Sequence, residues 1–155
     1  MTSVGTNWSR YYEYGASVLH RPTNLEEVSR IVERAPRIRA LGSRHSFSGI
    51  ADSDVLVTLE DMPRDIRIDE ETETVSFGAG IRYGELGAAL QANGWALRNL
   101  ASLPHISVAG AVATGTHGSG DRNGTLSRAV AGLELVTASG EVVNIGPIDE
   151  GFDGA

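Results

Sequence analysis

The stretch Ile38-Arg39-Ala40-Leu41-Gly42-Ser43-Arg44-His45-Ser46-Phe47 decides how the first part of this chain folds. Its first four residues predict a buried strand, carried by Ile38, Ala40 and Leu41, that runs directly into a glycine turn. Backbone N–H groups of such a turn emerge at the carboxyl end of a strand, where open α/β sheets bind ligands. Gly42 permits unusual backbone angles and two serines supply hydroxyl donors, so the turn is a candidate anion-binding nest. From spacing alone, an ordinary strand-exit turn with an exposed His45 is the commoner structure.

The sequence on either side of this stretch predicts a small, mostly parallel sheet with a crossover helix. Val18 to His20 forms a short apolar strand, and a further strand is indicated by alternation at Val55, Val57 and Leu59. Between the first two strands, apolar residues repeat at helical spacing: Leu25, Val28, Ile31 and Val32. Thr23 or Asn24 can cap this helix, which we expect to reach Arg34 before Pro36 ends it.

The pattern changes after Pro63. Ile66 and Ile68, then Thr74, Val75 and Phe77, predict an antiparallel pair joined by an acidic turn over residues 70–73. A helix is expected from Tyr83 to Asn93, with Gly94 as its C-cap. Residues 130–136 and 141–145 predict a hairpin whose turn contains Ser139 and Gly140.

Composition excludes several classes of chemistry. The chain has 155 residues, 41% of them apolar, which fits one globular domain. Its net charge of −7 argues against a nucleic-acid partner, because phosphate neutralisation needs clustered cations. Cysteine is absent, so thiol catalysis and iron–sulfur clusters are excluded, and all 13 cationic side chains are arginine, which excludes a Walker-type lysine. With no membrane-length apolar run and no signal-peptide core at the start, we expect a cytoplasmic protein without membrane contact.

A second candidate site lies between Ala101 and Gly120, where glycine, serine, alanine and threonine predominate. Ordering such a long small-residue segment costs conformational entropy unless something packs against it. Apolar side chains of the kind that a packed element requires occur within it, at Ile106, Val108 and Val112. Hydroxyl donors suited to a diphosphate follow at Thr114, Thr116 and Ser119.

Other motifs are weaker. Residues 78–84 begin Gly-Ala-Gly but lack the spacing and the acidic ribose partner of a nicotinamide fingerprint, so a strand-to-helix turn is the better interpretation. No G-x-S-x-G nucleophile elbow occurs. The four histidines are not spaced as metal ligands, so no metal site is expected.

Taken together, the two candidate segments resemble the alditol oxidases, which include xylitol and sorbitol oxidases within the vanillyl-alcohol-oxidase flavoprotein superfamily. The resemblance is carried by residues 41–47, 99–110 and 113–120, and it runs from about Trp8 to Phe152. Sugar-lactone oxidases resemble the chain less closely, and many of them carry glycine where this chain has Arg44.

The resemblance implies an α+β fold, namely a two-part FAD-binding domain of the vanillyl-alcohol-oxidase or PCMH type, with FAD held between the parts. Residues 1–62 are expected to form the first subdomain, a small parallel β-α-β sheet. Residues 63–155 are expected to form the second, with a larger, mostly antiparallel sheet and helices, incomplete at its carboxyl end.

The resemblance also implies roles for individual residues. His45 matches a histidine bonded covalently to the dimethylbenzene methyl carbon of the flavin. The loop around it is expected to wrap the diphosphate: Ala40, Leu41, Gly42, Ser43, Arg44, His45 and Ser46. Further cofactor contacts are expected from Ser102, Ser107, Gly110, Thr114, Gly115, Thr116 and His117. Ser102 also matches a serine close to the substrate hydroxyls.

The implied reaction is hydride transfer from a polyol carbinol to flavin N5, which gives an aldose, followed by reoxidation by dioxygen to hydrogen peroxide. The expected partners are therefore a small polyol and dioxygen, while the oligomeric state is left open. Because relatives are much longer, we expect an amino-terminal fragment or a truncated product that holds no catalytic residue and is inactive alone. Two alternatives stay open: an FAD-dependent sugar-lactone oxidase, and a truncated non-catalytic flavin-binding module.

Overall fold

Three short parallel strands form the sheet at the start of the chain in the computed structural model, which describes residues 4–146. The strands are β1 (Val18–His20), β2 (Arg39–Ala40) and β3 (Val55–Val57), in the spatial order β1-β3-β2. Both outer strands pair in parallel with β3. The predicted parallel sheet is therefore confirmed.

Helix α1 (Leu25–Arg34) crosses over between β1 and β2. Asn24 is the capping residue, since its side-chain oxygen accepts a hydrogen bond of 2.9 Å from the backbone N–H of Glu27. The Glu27 carboxylate in turn accepts the backbone N–H of Thr23 at 2.8 Å. These reciprocal bonds satisfy N–H groups that lack helical partners, which is why the helix begins where the sequence predicts.

Burial within this sheet differs from the sequence expectation. We expected Ala40 to lie in a buried strand, but both residues of β2 are exposed, because β2 is an edge strand of only two residues. Alternation was expected at Val55, Val57 and Leu59, yet Leu56, Val57 and Thr58 are all buried. A central parallel strand is covered on both faces, so its burial does not alternate.

The second part of the chain begins with an antiparallel pair, β4 (Ile66–Asp69) and β5 (Thr74–Phe77), as predicted. Helix α2 (Tyr83–Ala92) follows, and Gly94 after it has a φ of +78° that suits a residue without a Cβ. A short helix α3 (Val108–Ala113) then precedes a 3-10 turn over Leu126–Ala129. The last pair is β6 (Leu133–Val136) and β7 (Val142–Ile145), so the predicted hairpin is present but starts at residue 133 instead of 130.

Two compact units, each with its own hydrophobic cluster, divide the described residues. The first contains residues 4–63 together with the hairpin turn 136–142, and the second contains residues 64–135 and 143–146. The predicted carboxyl end of the likeness at Phe152 lies outside the described residues. Within residues 4–146, no helix is both long and apolar enough to cross a membrane.

The second unit's cluster is built on α2. Leu86 is 0% exposed and Leu90 is 3% exposed, and both pack with Ile81 and Val108. Val108 also donates its backbone N–H to the carbonyl of Ile81 at 3.0 Å. The segment that carries α3 is thus attached to the core by a backbone hydrogen bond and by the packing of the Val108 side chain.

Replacing Leu86 with alanine should lower the free energy of unfolding by about 2–5 kcal/mol, because it leaves a cavity in a fully enclosed site. Leu133→Ala is the matched control, since Leu133 is 42% exposed. Urea denaturation of both variants would measure the difference. Equal losses would contradict the placement of the core on α2.

Candidate functional site

The histidine loop, residues 41–47, leaves the sheet directly after β2. Leu41 is buried and donates its backbone N–H to the Val57 carbonyl at 2.8 Å, which fixes the start of the loop to the central strand. Gly42 is exposed, and the four residues from Ser43 to Ser46 are half-buried. The Ser43 hydroxyl lies 3.2 Å from Nδ1 of His45.

Four residues from the start of the chain, which we call the N-terminal clamp, hold this loop: Val4, Asn7, Trp8 and Tyr14. Asn7 is 2% exposed, and its side-chain amide donates to the Ser46 carbonyl at 2.9 Å. The backbone N–H of Trp8 donates to the Arg44 carbonyl at 3.0 Å. The Trp8 ring stacks on the His45 imidazole, with 5.7 Å between centroids and 17° between planes.

Arg44 faces the clamp. Its guanidinium donates to the Val4 carbonyl at 2.8 Å and lies 5.6 Å from the centroid of the Tyr14 ring. The Arg44 backbone has a φ of +63°, a region that costs energy for any residue with a Cβ. The contacts to Val4 and Tyr14 compensate for this strain and keep the loop in its sharp turn.

Tyr14 also presents a buried hydroxyl that finds no hydrogen-bond partner within residues 4–146. Burial raises the pKa of this hydroxyl, and the neighbouring Arg44 opposes the shift without overcoming it. The phenol is therefore neutral at physiological pH. Asn7 and Tyr14 were both missed by sequence reasoning, since the only signal was an aromatic-rich start that matches no motif.

Asp52 holds the chain on either side of Tyr14. Its carboxylate accepts hydrogen bonds from the Tyr12 hydroxyl at 2.9 Å and from the Gly15 backbone N–H at 2.8 Å. Desolvation is the largest single influence and raises the Asp52 pKa, but the bonds from Gly15, Tyr12 and Ser53 together hold that pKa below its ordinary value. Asp52 is therefore ionised at neutral pH.

The glycine-rich segment, residues 99–120, lies in the second unit. Its first part runs against the start of α2, where Gly84 donates its backbone N–H to the Pro104 carbonyl at 2.7 Å. A Cβ at Gly84 would lie 3.1 Å from two atoms of Pro104, so this approach requires glycine or a shift of the neighbour. Ser102 is exposed between Leu100 and Leu103, whose side chains are 51% and 44% exposed.

Helix α3 gives the middle of the segment its structure, an element that the sequence suggested only through its apolar residues. Ser107, at the N-cap position, is 7% exposed. A Cβ at Gly110 would lie 2.6 Å from the Ser107 hydroxyl oxygen, so the absence of a side chain at 110 makes room for that hydroxyl. Ser107 and Gly110, two of the predicted cofactor residues, are therefore neighbours in space.

The end of α3 brings four more of the predicted residues together. The Thr114 hydroxyl donates to the Gly110 carbonyl at 3.0 Å and lies 3.3 Å from the Thr116 hydroxyl. Gly115 turns the chain with a φ of +63°, and a Cβ there would meet nothing within 4 Å. His117 is exposed, with Nδ1 3.0 Å from the Gly118 carbonyl oxygen.

The charge pattern of the two segments is unusual for this chain. The sequence has 20 acidic residues, but none of them falls within residues 40–47 or 99–120. The polar groups in these segments include hydroxyls, backbone N–H groups, histidines, the Asn99 amide and the guanidinium of Arg44, one nitrogen of which is bonded to the Val4 carbonyl. Such a donor set suits an anion such as a diphosphate.

In the part of the chain that the structure describes, neither a groove elsewhere nor a metal site adds to the predicted residues. An open groove of about 480 Å³ runs beside α1, lined by His20, Arg21 and Arg30 among others, and it contains none of the predicted cofactor residues. Within residues 4–146, no group of three or more histidine and acidic side chains is arranged to hold a metal ion.

Comparison with known proteins places these features in a family. A family model described as FAD binding domain matches residues 16–146. The chain belongs to this FAD-binding family. Its cofactor is FAD. The matched range includes both the histidine loop and the glycine-rich segment.

Two curated relatives match almost all of the chain. An alditol oxidase of a Streptomyces species is 46% identical over 159 residues, which span 100% of this chain and 38% of the relative. An L-gulono-1,4-lactone dehydrogenase of Mycobacterium tuberculosis is 34% identical over 155 residues, covering 97% of this chain and 36% of the relative. The chain thus spans less than two fifths of the length of either protein.

Solved structures share the fold. Cholesterol oxidase from B. sterolicum superposes with a TM-score of 0.80 at 22% identity, covering 94% of this chain and 32% of that one. A BBE-like 1 variant from Physcomitrella patens gives a TM-score of 0.77 at 25% identity, covering 94% and 33%. The α+β, two-part FAD-binding fold of the vanillyl-alcohol-oxidase type is therefore confirmed.

Stability of the clamp should depend on pH through Asp52. Because its folded pKa lies below the ordinary unfolded value of about 3.9, its stabilising contribution is complete above that value and is lost as pH falls through the folded pKa. We expect Asp52→Asn to flatten the decline of the thermal unfolding midpoint as the pH falls below about 4.

Tyr12→Phe is the companion variant, because it removes one of the hydrogen bonds to Asp52 and keeps the carboxylate. Its decline should fall between those of the wild type and Asp52→Asn. If Asp52→Asn lost stability with acid as steeply as the wild type, the hydrogen bonds to Asp52 would not carry the effect.

Proposed function

We propose that this chain is the FAD-binding part of an oxidase that converts a polyol to an aldose, with FAD attached covalently through His45. The observation that carries the proposal is the histidine loop: a half-buried imidazole at a strand exit, in a chain of the FAD-binding family. The turn that follows a parallel strand presents its backbone N–H groups at this end of the sheet, which is where such sheets bind phosphate-containing ligands.

Cofactor binding is assigned to two sets of residues. Ala40 to Ser46 supply backbone N–H groups and hydroxyls around the diphosphate, with His45 as the point of attachment. Further contacts are assigned to Ser102, Ser107, Gly110, Thr114, Gly115, Thr116 and His117. Two compact units carry these sets, and we propose that they correspond to FAD-binding subdomains of residues 1–62 and 63–155.

The residues present fit this cofactor. The glycine-rich segment leaves open space at Gly115 and Gly118, where a Cβ would meet nothing within 4 Å, so a ligand can approach the backbone closely. Neither segment contains a carboxylate to repel the diphosphate. The hydroxyl of Thr114 is bonded to the Gly110 carbonyl. The backbone N–H groups of Gly115 and Thr116 are bonded to the carbonyls of Val112 and Ala111, so the contribution of this turn is its shape.

Covalent attachment requires His45 to act as a nucleophile. With FAD held here, an imidazole nitrogen of His45 would bond to the dimethylbenzene methyl carbon of the flavin. The two protons released, one from the methyl group and one from the imidazole, would leave with two electrons, and dioxygen would take up both electrons to give hydrogen peroxide. The Ser43 hydroxyl, 3.2 Å from Nδ1, can accept or donate at that nitrogen and so help fix the tautomer.

FAD, when bound, accepts two electrons from a carbinol carbon, and dioxygen is the final acceptor. The chain's own share is binding and orientation, with Ser102 proposed to hydrogen-bond a substrate hydroxyl. Ser102 suits that role because it is exposed next to the buried Ala101 and two residues before Pro104, whose carbonyl accepts the Gly84 N–H. We assign no catalytic residue within the chain. A cytoplasmic location stays a prediction.

A polyol is preferred over a sugar lactone as the substrate because identity to the alditol oxidase is 46%, against 34% to the lactone dehydrogenase. The lactone alternative is supported by the same histidine loop. A substrate panel of xylitol and sorbitol against aldonolactones, with hydrogen peroxide as the readout in the longest native form of the protein, separates the two.

Attachment at His45 predicts that flavin absorbance stays with the chain after acid precipitation. His45→Ala should abolish this retention while leaving the protein folded, since the imidazole lies at the half-buried loop surface. His105→Ala is the control, because His105 is exposed and is assigned no cofactor contact. Acid-stable flavin in His45→Ala would show that the linkage lies elsewhere.

Replacing Ser102 with alanine should raise the KM for the polyol by roughly tenfold, the cost of one hydrogen bond to a substrate hydroxyl. The amount of acid-stable flavin should change less than the KM, because Ser102 is one of several assigned cofactor contacts, whereas attachment depends on His45. Steady-state kinetics in the longest native form measures the first quantity and acid precipitation the second. An unchanged KM would remove Ser102 from the substrate site.

A further inference from the structure

The Trp8 side chain has an exposed position that packing alone does not explain. It is 53% exposed, yet its indole lies nearly parallel to the imidazole of His45, with centroids 5.7 Å apart and planes inclined by 17°. Its other aromatic neighbour is Phe47, which meets it edge-on at 6.0 Å and is itself 72% exposed. The stacked contact is therefore made at the surface of the histidine loop.

The backbone beneath Trp8 is held firmly, so the indole has a fixed base. Its N–H is bonded to the Arg44 carbonyl, one residue before His45. Asn7, the residue before it, is buried and bonded to the Ser46 carbonyl, one residue after His45. Asn7 and Trp8 thus form hydrogen bonds to the loop on both sides of His45, and the Trp8 ring stacks on the imidazole.

The stacked indole restricts the orientations that the imidazole ring can adopt. The χ2 torsion of a histidine has a broad energy profile, so neighbouring groups decide the orientation of the ring. A ring stacked at 17° opposes rotation about χ2, because turning the imidazole out of the parallel arrangement loses the contact. The imidazole nitrogens are then presented at the edge of the stack, in a direction that Trp8 sets.

We propose that Trp8 is a positioning residue for the covalent attachment of FAD at His45. This inference rests on the proposed function, since it assigns to Trp8 the orientation of the nucleophile in that bond-forming step. Orientation matters because a reaction between held groups depends steeply on alignment, and a displacement of about 1 Å can lower the rate a hundredfold. Trp8 itself touches the imidazole and forms no bond with the flavin.

The test compares three variants of the full chain by the rate at which acid-stable flavin accumulates after FAD is added to apoprotein. Trp8→Leu removes the aromatic plane, whereas Trp8→Phe retains one. Tyr11→Leu is the matched control, since Tyr11 is a nearby aromatic that is 87% exposed and lies outside the clamp. Dissociation constants for FAD and thermal unfolding midpoints are measured in parallel.

We expect Trp8→Leu to attach flavin about tenfold more slowly or worse, with the dissociation constant for FAD within twofold of the wild type. Trp8→Phe should recover most of the rate, and Tyr11→Leu should match the wild type. An attachment rate in Trp8→Leu equal to that of the wild type would overturn the proposal. A lower attachment rate that an equal fall in FAD affinity or unfolding of the variant accounts for would also overturn it.

A flavin-independent readout tests the stacking itself. The ring current of Trp8 should shift the His45 imidazole protons upfield in the NMR spectrum, and Trp8→Leu should abolish that shift, with His45→Gln assigning the signals. Absence of the shift in the wild type would overturn the proposal. Absence of acid-stable flavin in the wild type, with the shift present, would instead reject the attachment at His45 and, with it, the role given to Trp8.

Discussion

The pairing of β3 with strands on both sides is the interaction on which the first half of the molecule depends. Leu56 in β3 is fully buried, and β1 and β2 both pair with β3 in parallel. Because parallel neighbours need a crossover, α1 follows as a consequence. The bond from Leu41 to the Val57 carbonyl then places the histidine loop at the carboxyl end of the sheet. A site at this end is thus a result of strand pairing, before any side-chain chemistry is considered.

Local signals explain which parts of the fold could be predicted from the sequence. Asn24 and Glu27 define the start of α1, and Gly94 marks the end of α2, because caps and left-handed residues act over a few positions. Burial in the sheet was less predictable. Ala40 is exposed and Leu56 is buried because the former lies on an edge strand and the latter on the central one, and strand order is a property of the whole fold. Helix α3 was suggested only indirectly, since six small and apolar residues give no helical period of their own.

The candidate site shows the same division. The two segments were found because their residues match a family pattern, and the family match includes both. The clamp was not found, since Asn7 and Trp8 act on residues almost 40 positions away, through a buried amide and a stacked ring. No spacing rule links such positions. Arg44 illustrates the limit: the family pattern predicts its place in the diphosphate loop, but no spacing rule predicts that its guanidinium packs on Tyr14 and bonds Val4.

Exposed apolar side chains in the two segments point toward one kind of ligand. Phe47, Leu100 and Leu103 are 72%, 51% and 44% exposed, and single exposed hydrophobics of this kind are ordinary on any protein surface. Here they flank hydroxyls, backbone N–H groups and a histidine, in stretches that lack any carboxylate. A simple phosphate ion would accept hydrogen bonds from these donors but would leave the apolar side chains exposed to solvent. A ligand with an anionic centre and a flat apolar ring uses both, since covering apolar surface contributes about 25 cal/mol per Å². FAD is such a ligand, so the side-chain chemistry of each segment fits the cofactor of the family.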